Sequence, residues 1–492
     1  MHTESRPALP TWLYPSLLSA AILAYWLPRL LRGFWIDEAG AFWVAHGGWS
    51  NVWHTIQVWP TQSIVYAYLS TFFSSDGPYK EAVLRAPSVA GMLLATWALY
   101  KMTDAMLGAG SGWFAAIPFC CAGAIVDMAT NARPYALGLG VVMVSFWSLR
   151  QLVHTGDRKW LVVYCVSSPL IIHFHYPFVV VFAVQAVYLY AAWRAGRRLR
   201  WTQLLIGVGA IMLGAVPLIW PFLTLAQVST RWKTAALPTL STFLSFYPLQ
   251  VLFPAVIGLG LFFALYRKWF GPITSIPTDD LILLLTWLLL GPVAMFILAR
   301  AGSYAIFATR FLIYALPPFF ILLAWAIKQV GNAPGRFALI GSIAMSAALY
   351  VPQMAVTHEW RTPLAIAQGV AGPGTPILLR SGFVESPIFD WKSEPNPATH
   401  LFSPLLAYPV KNEIIPIPFF VDASAERYIE KQVERRAPTH AAFCLLAETG
   451  SDVLSVLPAW FHERGYRSYS QEVGGFELLL FRAPETVAQS TR

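Results

Sequence analysis

The sequence predicts a polytopic α-helical membrane protein with a small α/β domain at its C-terminus. Three observations carry this. Of 492 residues, 57% are hydrophobic and 12% charged, where a typical soluble domain has about 25% charged. Apolar runs of the roughly 20 residues needed to cross a bilayer recur until about residue 353. The charge balance also divides there. Residues 1–353 hold 22 Lys+Arg and 10 Asp+Glu, and residues 354–492 hold 12 and 15. The net charge of +9 therefore belongs to the membrane part, as a topology signal and not a nucleic-acid signal. A soluble enzyme, a disordered chain and a disulfide scaffold are excluded.

The expected spans are 12–31, 84–106, 112–130, 134–150, 160–176, 177–193, 202–225, 243–266, 280–299, 310–328 and 335–353, eleven in all. The first reads as an uncleaved signal anchor, because no small-residue cleavage site follows it. Gln62–Phe73 is too short to cross and reads as an interfacial or re-entrant helix. The stretch Ala41–Pro60, with Trp43, Trp49, Trp53 and Trp59, belongs at headgroup depth. Alternate loops carry 13 and nine Lys/Arg, so the richer set is cytoplasmic. An odd span count then puts residues 354–492 outside, on the extracytoplasmic side of the membrane.

The domain division is 1–353 for the membrane part and 354–492 for the tail. In the tail, Ile377–Arg380, Ala442–Leu446 and Phe476–Phe481 read as strands. Ala425–Arg435 and Val453–Arg464 read as helices, the second ended by Gly465. None of the four cysteines has zinc-site spacing or an evident disulfide partner.

Candidate functional residues lie on the outer side. Asp37 and Glu38 are the only acids between residues 5 and 75, and they follow the first span among aromatic residues. Asp37 is placed for a general base, or for the N-cap of a helix starting at Glu38. Asp127 lies at the end of a span, where an acid is a functional candidate by default. Arg133 either pairs with Asp127 or binds a phosphate, which its planar fork suits. His173 and His175 do not have the i, i+4 spacing of a helical metal pair. Arg310 heads a span, where a bound phosphate would offset the unfavourable helix dipole. Interfacial snorkelling is the plain alternative for these arginines.

Taken in order, several segments resemble a known family. They are Trp35-Ile36-Asp37-Glu38, Trp59-Pro60 with Ser63–Tyr66, Leu84-Arg85-Ala86-Pro87-Ser88, Ala132-Arg133-Pro134-Tyr135, His175-Tyr176 and Arg310-Phe311-Leu312. This order is similar to bacterial glycosyltransferase family 39, related to protein O-mannosyltransferases and the lipid A aminoarabinose transferase. The resemblance covers about residues 12–353. It implies a C-type glycosyltransferase fold and a polyprenyl-phosphate sugar donor used on the outer face. It also implies Asp37 as catalytic base with Glu38 beside it, and Arg133, Arg310 and Arg85 near the donor phosphate. Asp127, Tyr135, His175 and Tyr66 would line the cavity. No cofactor is implied, and a divalent metal is not indicated. The acceptor is a lipid, a glycan or a protein. Asn131, where the family often has an acid, and Trp59-Pro60-Thr61 depart from the pattern. A lipid-linked-sugar transporter or flippase and a membrane-anchored envelope-assembly protein are the competing classes.

Overall fold

The computed structural model describes residues 13–58, 63–197, 200–229, 237–249, 275–302, 307–331, 333–350, 358–384, 391–392 and 399–484. The segment Trp59-Pro60-Thr61, most of the expected 243–266 span and the end of the 335–353 span lie outside them. The chain forms two compact units. The first comprises Met1–Leu30, Trp53–Leu69 and Arg85–Met354; the second comprises Leu31–Val52, Ser70–Leu84 and Ala355–Arg492.

The first unit is helical. Its elements begin with α1 (Leu13–Leu30), part of α3 (Gly48–Val58), α4 (Ile64–Thr71) and most of α5 (Lys80–Leu107). Then come α6 (Gly112–Cys121), α7 (Gly123–Ala129), α8 (Tyr135–Thr155), α9 (Arg158–Phe174) and α10 (Val180–Arg194). The rest are α11 (Trp201–Ala215), α12 (Ile219–Ser229), α13 (Leu240–Ser245), α14 (Thr278–Gly302), α15 (Thr309–Leu312), α16 (Pro317–Lys328) and α17 (Ala333–Tyr350). Among the described residues five helical stretches are long and apolar enough to cross a membrane, or seven if two bent pairs each count as one. The chain is therefore a multi-pass membrane protein. The expected straight span 112–130 is one of the bent pairs. α6 and α7 meet at 72°, because Ala122 is extended. The other is the segment Thr309–Ala315 with α16, bent by 46°, where Pro317 and Pro318 supply no N–H.

Two devices hold these helices where hydrophobicity cannot discriminate between protein and lipid. One is close backbone approach. A Cβ on Gly91 of α5 would lie 2.6 Å from the Leu137 nitrogen, and one on Gly140 of α8 would lie 2.7 Å from the Gly91 oxygen. The other is buried polar pairing. Tyr164 of α9 donates to Gln185 of α10, Gln185 donates to Ser145 of α8, and Ser145 meets Ser168 of α9, each at 2.8 Å. At the far end of α8, Arg150 grips Asp280 of α14 with two bonds of 2.8 and 2.7 Å. Arg197 reaches Asp279 at 3.0 Å. Aromatic packing completes the contact of α8 with α14, where Phe146 and Trp287 stack with centroids 3.8 Å apart.

The second unit is an α/β fold built on a five-stranded sheet of order β2-β1-β3-β5-β4. Its strands are β1 (Ile377–Arg380), β2 (Ile414–Ile417), β3 (Ala442–Glu448), β4 (Arg467–Val473) and β5 (Phe476–Arg482). β1 pairs parallel with β2 and β3; β5 pairs antiparallel with β3 and β4. Strand alternation sorts the core into two faces. Leu378, Phe443, Leu445 and Phe481 face α20 (Ala423–Arg436) and α21 (Val453–Glu463), with Phe461 stacked on Phe481 at 4.0 Å. Ile377, Leu379, Cys444, Leu446 and Leu480 face α18 (Arg361–Ala371). Ile36, from the first loop, is part of this second core. That residue opens α2 (Ile36–His46), which packs on α19 (Pro404–Ala407). Gly40 of α2 lies against Phe383 and His400.

Replacing Arg150 with Met would leave the fully buried Asp280 carboxylate without its bidentate partner. Breaking one side of such a pair costs about 3–5 kcal/mol. Thermal unfolding of the detergent-solubilised protein should show a clear fall in Tm for Arg150→Met. Adding Asp280→Asn should recover part of it, and an additive further loss would contradict the pairing.

Candidate functional site

In the first unit, three interruptions of helical structure bring four of the expected residues together. The first lies before α8. Arg133 and Pro134 lead into Tyr135 at the first position of that helix, where the fixed φ of Pro134 suits a helix start. The segment is held from α5, whose Ser88 Oγ donates to the Arg133 carbonyl at 2.9 Å. Ser88 and Gly91 lie three residues apart on one helix face. That face explains why the Arg85–Ser88 and Ala132–Leu137 segments belong together.

The second interruption is His175. It is extended, with φ −157° and ψ 112°, between α9 and the one-turn 3-10 helix Tyr176–Val179. The third is the four-residue helix α15, which packs on that turn and carries Arg310 and Phe311. The His175 ring meets Tyr135 edge-on at 5.0 Å, Phe178 at 4.9 Å and Phe311 at 5.2 Å. The Arg133 guanidinium lies 5.8 Å from the Tyr135 ring, and that of Arg310 lies 5.1 Å from Phe311. Tyr135 and Phe311 thus link the two guanidinium groups to the His175 ring, whose Nε2 is buried with no hydrogen-bond partner. Two guanidinium groups and a buried imidazole nitrogen, groups whose chemistry suits an anion, therefore share one aromatic frame. His173 faces elsewhere, its Nε2 within 2.8 Å of the Gly214 carbonyl.

Other expected residues take different places. Arg85 is buried, and its Nη1 donates to the carbonyls of Arg29 and Leu30 at 3.0 and 2.9 Å. It thus caps the C-terminus of α1. Tyr66 is buried in the unit's core, its N–H bonded to Ser63; Ser63 also donates to the His173 carbonyl at 2.6 Å. Asp127 is half-buried near the end of α7, after the bend.

The acid pair lies in the second unit. The helix starts two residues before the expected N-cap arrangement: Trp35 is the N-cap, and Asp37 falls inside the first turn. Glu38 does the capping, since its Oε2 accepts the Trp35 N–H at 3.4 Å, and it is buried. Asp37 is half-buried. Division of labour between adjacent acids follows from the 100° helical step.

Sequence reasoning missed the residues around this loop. Phe34 is fully buried. Its N–H donates to the Tyr408 hydroxyl at 2.7 Å, and its carbonyl accepts the Trp360 N–H at 2.9 Å. Tyr408 donates in turn to Glu81 at 2.7 Å, which also pairs with Arg361 at 2.6 Å. Burial and the Glu81 carboxylate push the Tyr408 hydroxyl far above the ordinary phenol range, so it stays neutral. Burial works against the Arg361 charge, but the Glu81 bond outweighs it and holds the guanidinium above its usual value. A signal existed in Glu81, an acid at the head of a long apolar helix; Tyr408 and Trp360 have no local signature.

No protein-family model matches the sequence, and no curated protein matches it. Solved structures do. The crystal structure of ArnT from Cupriavidus metallidurans bound to undecaprenyl phosphate aligns with a TM-score of 0.55 and 12% identity, over 97% of this chain and 99% of that one. Its apo form aligns equally well. The cryo-EM structure of the arabinofuranosyltransferase AftD from mycobacteria aligns with a TM-score of 0.41 and 14% identity, over 86% of this chain and 36% of that one. The ArnT alignment shows the fold, which is the C-type glycosyltransferase fold expected from the sequence.

Arg85→Ala should lower the Tm, because two buried carbonyls at the end of α1 lose a donor, at about 1–3 kcal/mol for each unsatisfied group. An unchanged melting curve would contradict the capping role.

Proposed function

We propose that this chain is an integral-membrane glycosyltransferase. It moves a sugar from a polyprenyl-phosphate donor to an acceptor hydroxyl on the outer face of the bacterial inner membrane. The observation that carries the reading is the grouping of Arg133, His175 and Arg310 around the Tyr135 and Phe311 rings. Such a cluster suits one phosphate at the end of an apolar lipid. The fold shared with ArnT, a protein solved with undecaprenyl phosphate bound, supports the same ligand class.

The chemistry assigns each group a task. As the bond between the anomeric carbon and the phosphate oxygen breaks, negative charge grows on the leaving polyprenyl phosphate. Arg133 and Arg310 stabilise that charge with fixed donors, and His175 adds a hydrogen bond from Nε2. The acceptor oxygen forms the new bond and gives its proton to Asp37. Attack in line with the departing phosphate inverts the anomeric centre. Glu38 keeps the start of α2 in place. A phosphate is already a good leaving group, so the arginines suffice without a metal, and no cofactor enters. The acceptor is a lipid, glycan or protein bearing a free hydroxyl.

The test uses native membranes and a panel of polyprenyl-phosphate-linked hexoses and pentoses. Asp37→Asn should lower kcat by roughly 10²–10⁴, the range of a lost general base, with insertion and Tm unchanged. Wild-type turnover in that variant would remove Asp37 from the mechanism. Arg133→Ala and Arg310→Ala should each weaken donor binding by about tenfold or more, the size of a lost charge-assisted bond. Movement of label across the bilayer without transfer would identify a transporter instead.

A further inference from the structure

We propose that Tyr408 of the C-terminal domain is a positioning residue for Asp37, so that this domain is a working part of the transferase. The proposal rests on the reading of Asp37 as the base. Both backbone polar groups of Phe34 are held by the C-terminal part of the chain: the N–H by Tyr408 Oη at 2.7 Å and the carbonyl by Trp360 at 2.9 Å. Three residues earlier, the Leu31 carbonyl accepts from Arg361 at 3.2 Å. Between Phe34 and Asp37 the backbone has no slack. Trp35 is the N-cap, Ile36 starts the helix and is buried in the sheet core, and Glu38 closes back on the Trp35 N–H.

Tyr408 makes this clamp directional. Its hydroxyl accepts from Phe34 and donates to Glu81, so both of its functions are used. Glu81 is buried and is tied on its other side to Arg361. The Tyr408 ring packs near Phe34, with centroids 6.1 Å apart, and under the Lys80 ammonium at 4.8 Å. The same Lys80 donates to the Ala407 carbonyl. Three separate segments of chain, Lys80-Glu81, Trp360-Arg361 and Ala407-Tyr408, thus converge on the backbone just before the N-cap of α2. Phenylalanine at position 408 would preserve the ring packing. It would also leave a buried N–H and a buried carboxylate oxygen each short of a bond.

The test uses the full-length protein in lipid nanodiscs. Turnover is measured with the same donor panel and native membranes as acceptor, and hydrogen exchange is read on amides 33–38. Tyr408→Phe should lower kcat at least tenfold while the donor KM stays within about twofold. Amides 33–38 should exchange faster while the strands of the sheet keep their protection. A general structural defect would instead move the sheet amides and the active fraction together. The exposed Tyr469→Phe serves as control and should match the wild type. Wild-type kcat and unchanged exchange in Tyr408→Phe would overturn the proposal. If that variant does not fold, Glu81→Gln decides. Faster exchange at 33–38 with a reduced kcat supports the clamp, and unchanged values overturn it. Asp37→Asn is run beside them. If it is inactive while Tyr408→Phe is fully active, positioning alone fails. If Asp37→Asn turns over normally, the reading of Asp37 fails.

Discussion

A helix ends with carbonyls that still need donors, and this molecule is arranged around meeting that need after α1. Arg85 serves the carbonyls of Arg29 and Leu30. Arg361 serves Leu31, and Trp360 serves Phe34. Each donor comes from far along the chain. The outcome is a short, fully tied segment that delivers the acid pair onto the first turn of α2. Without those donors the loop would carry unsatisfied polar groups among apolar surroundings, and Asp37 would have no fixed place.

The same constraint shapes the surroundings of Arg133, His175 and Arg310. Irregular backbone inside a membrane protein is tolerated where neighbouring protein covers it or where it lines a cavity. The chain leaves helical geometry before α8, at His175 and around α15, and those places carry Arg133, His175 and Arg310. Close approach of α5 to α8 at Gly91 and Gly140 and the Ser88 bond to Arg133 hold one of them. Packing of α15 on the Tyr176–Val179 turn holds the others. Charges that would be costly in lipid are thereby confined to one aromatic-walled spot.

Much of this was legible in the residues. The membrane class followed from the scarcity of charge, and the tail from its return to ordinary composition. Three of the five strands and two tail helices showed in alternation and periodicity, whereas β2 and β4 did not. β2 is a four-residue edge strand containing Pro416, and β4 is polar and exposed, so neither offers an apolar alternation. Arg133, Tyr135, His175 and Arg310 were identifiable because charge and histidine beside aromatics are rare in apolar runs. The bonds from Arg85 to the Arg29 and Leu30 carbonyls had no such signal, because composition does not show which backbone groups a side chain meets. The 72° bend at Ala122 left no mark in hydropathy, which is blind to direction. The hold on Phe34 joins residues more than 300 positions apart, and nothing local to Tyr408 announces it.

The central claim is that Arg133, His175 and Arg310 hold the phosphate of a polyprenyl-linked sugar. The most direct measurement is photo-crosslinking of the full-length protein with a diazirine-bearing polyprenyl phosphate, read by peptide mass spectrometry. The account predicts adducts on the peptides carrying Arg133, His175 and Arg310, displaced by unlabelled polyprenyl phosphate and weakened in Arg133→Ala. Labelling confined to other helices, or equal labelling by a phosphate-free polyprenol probe, would contradict it.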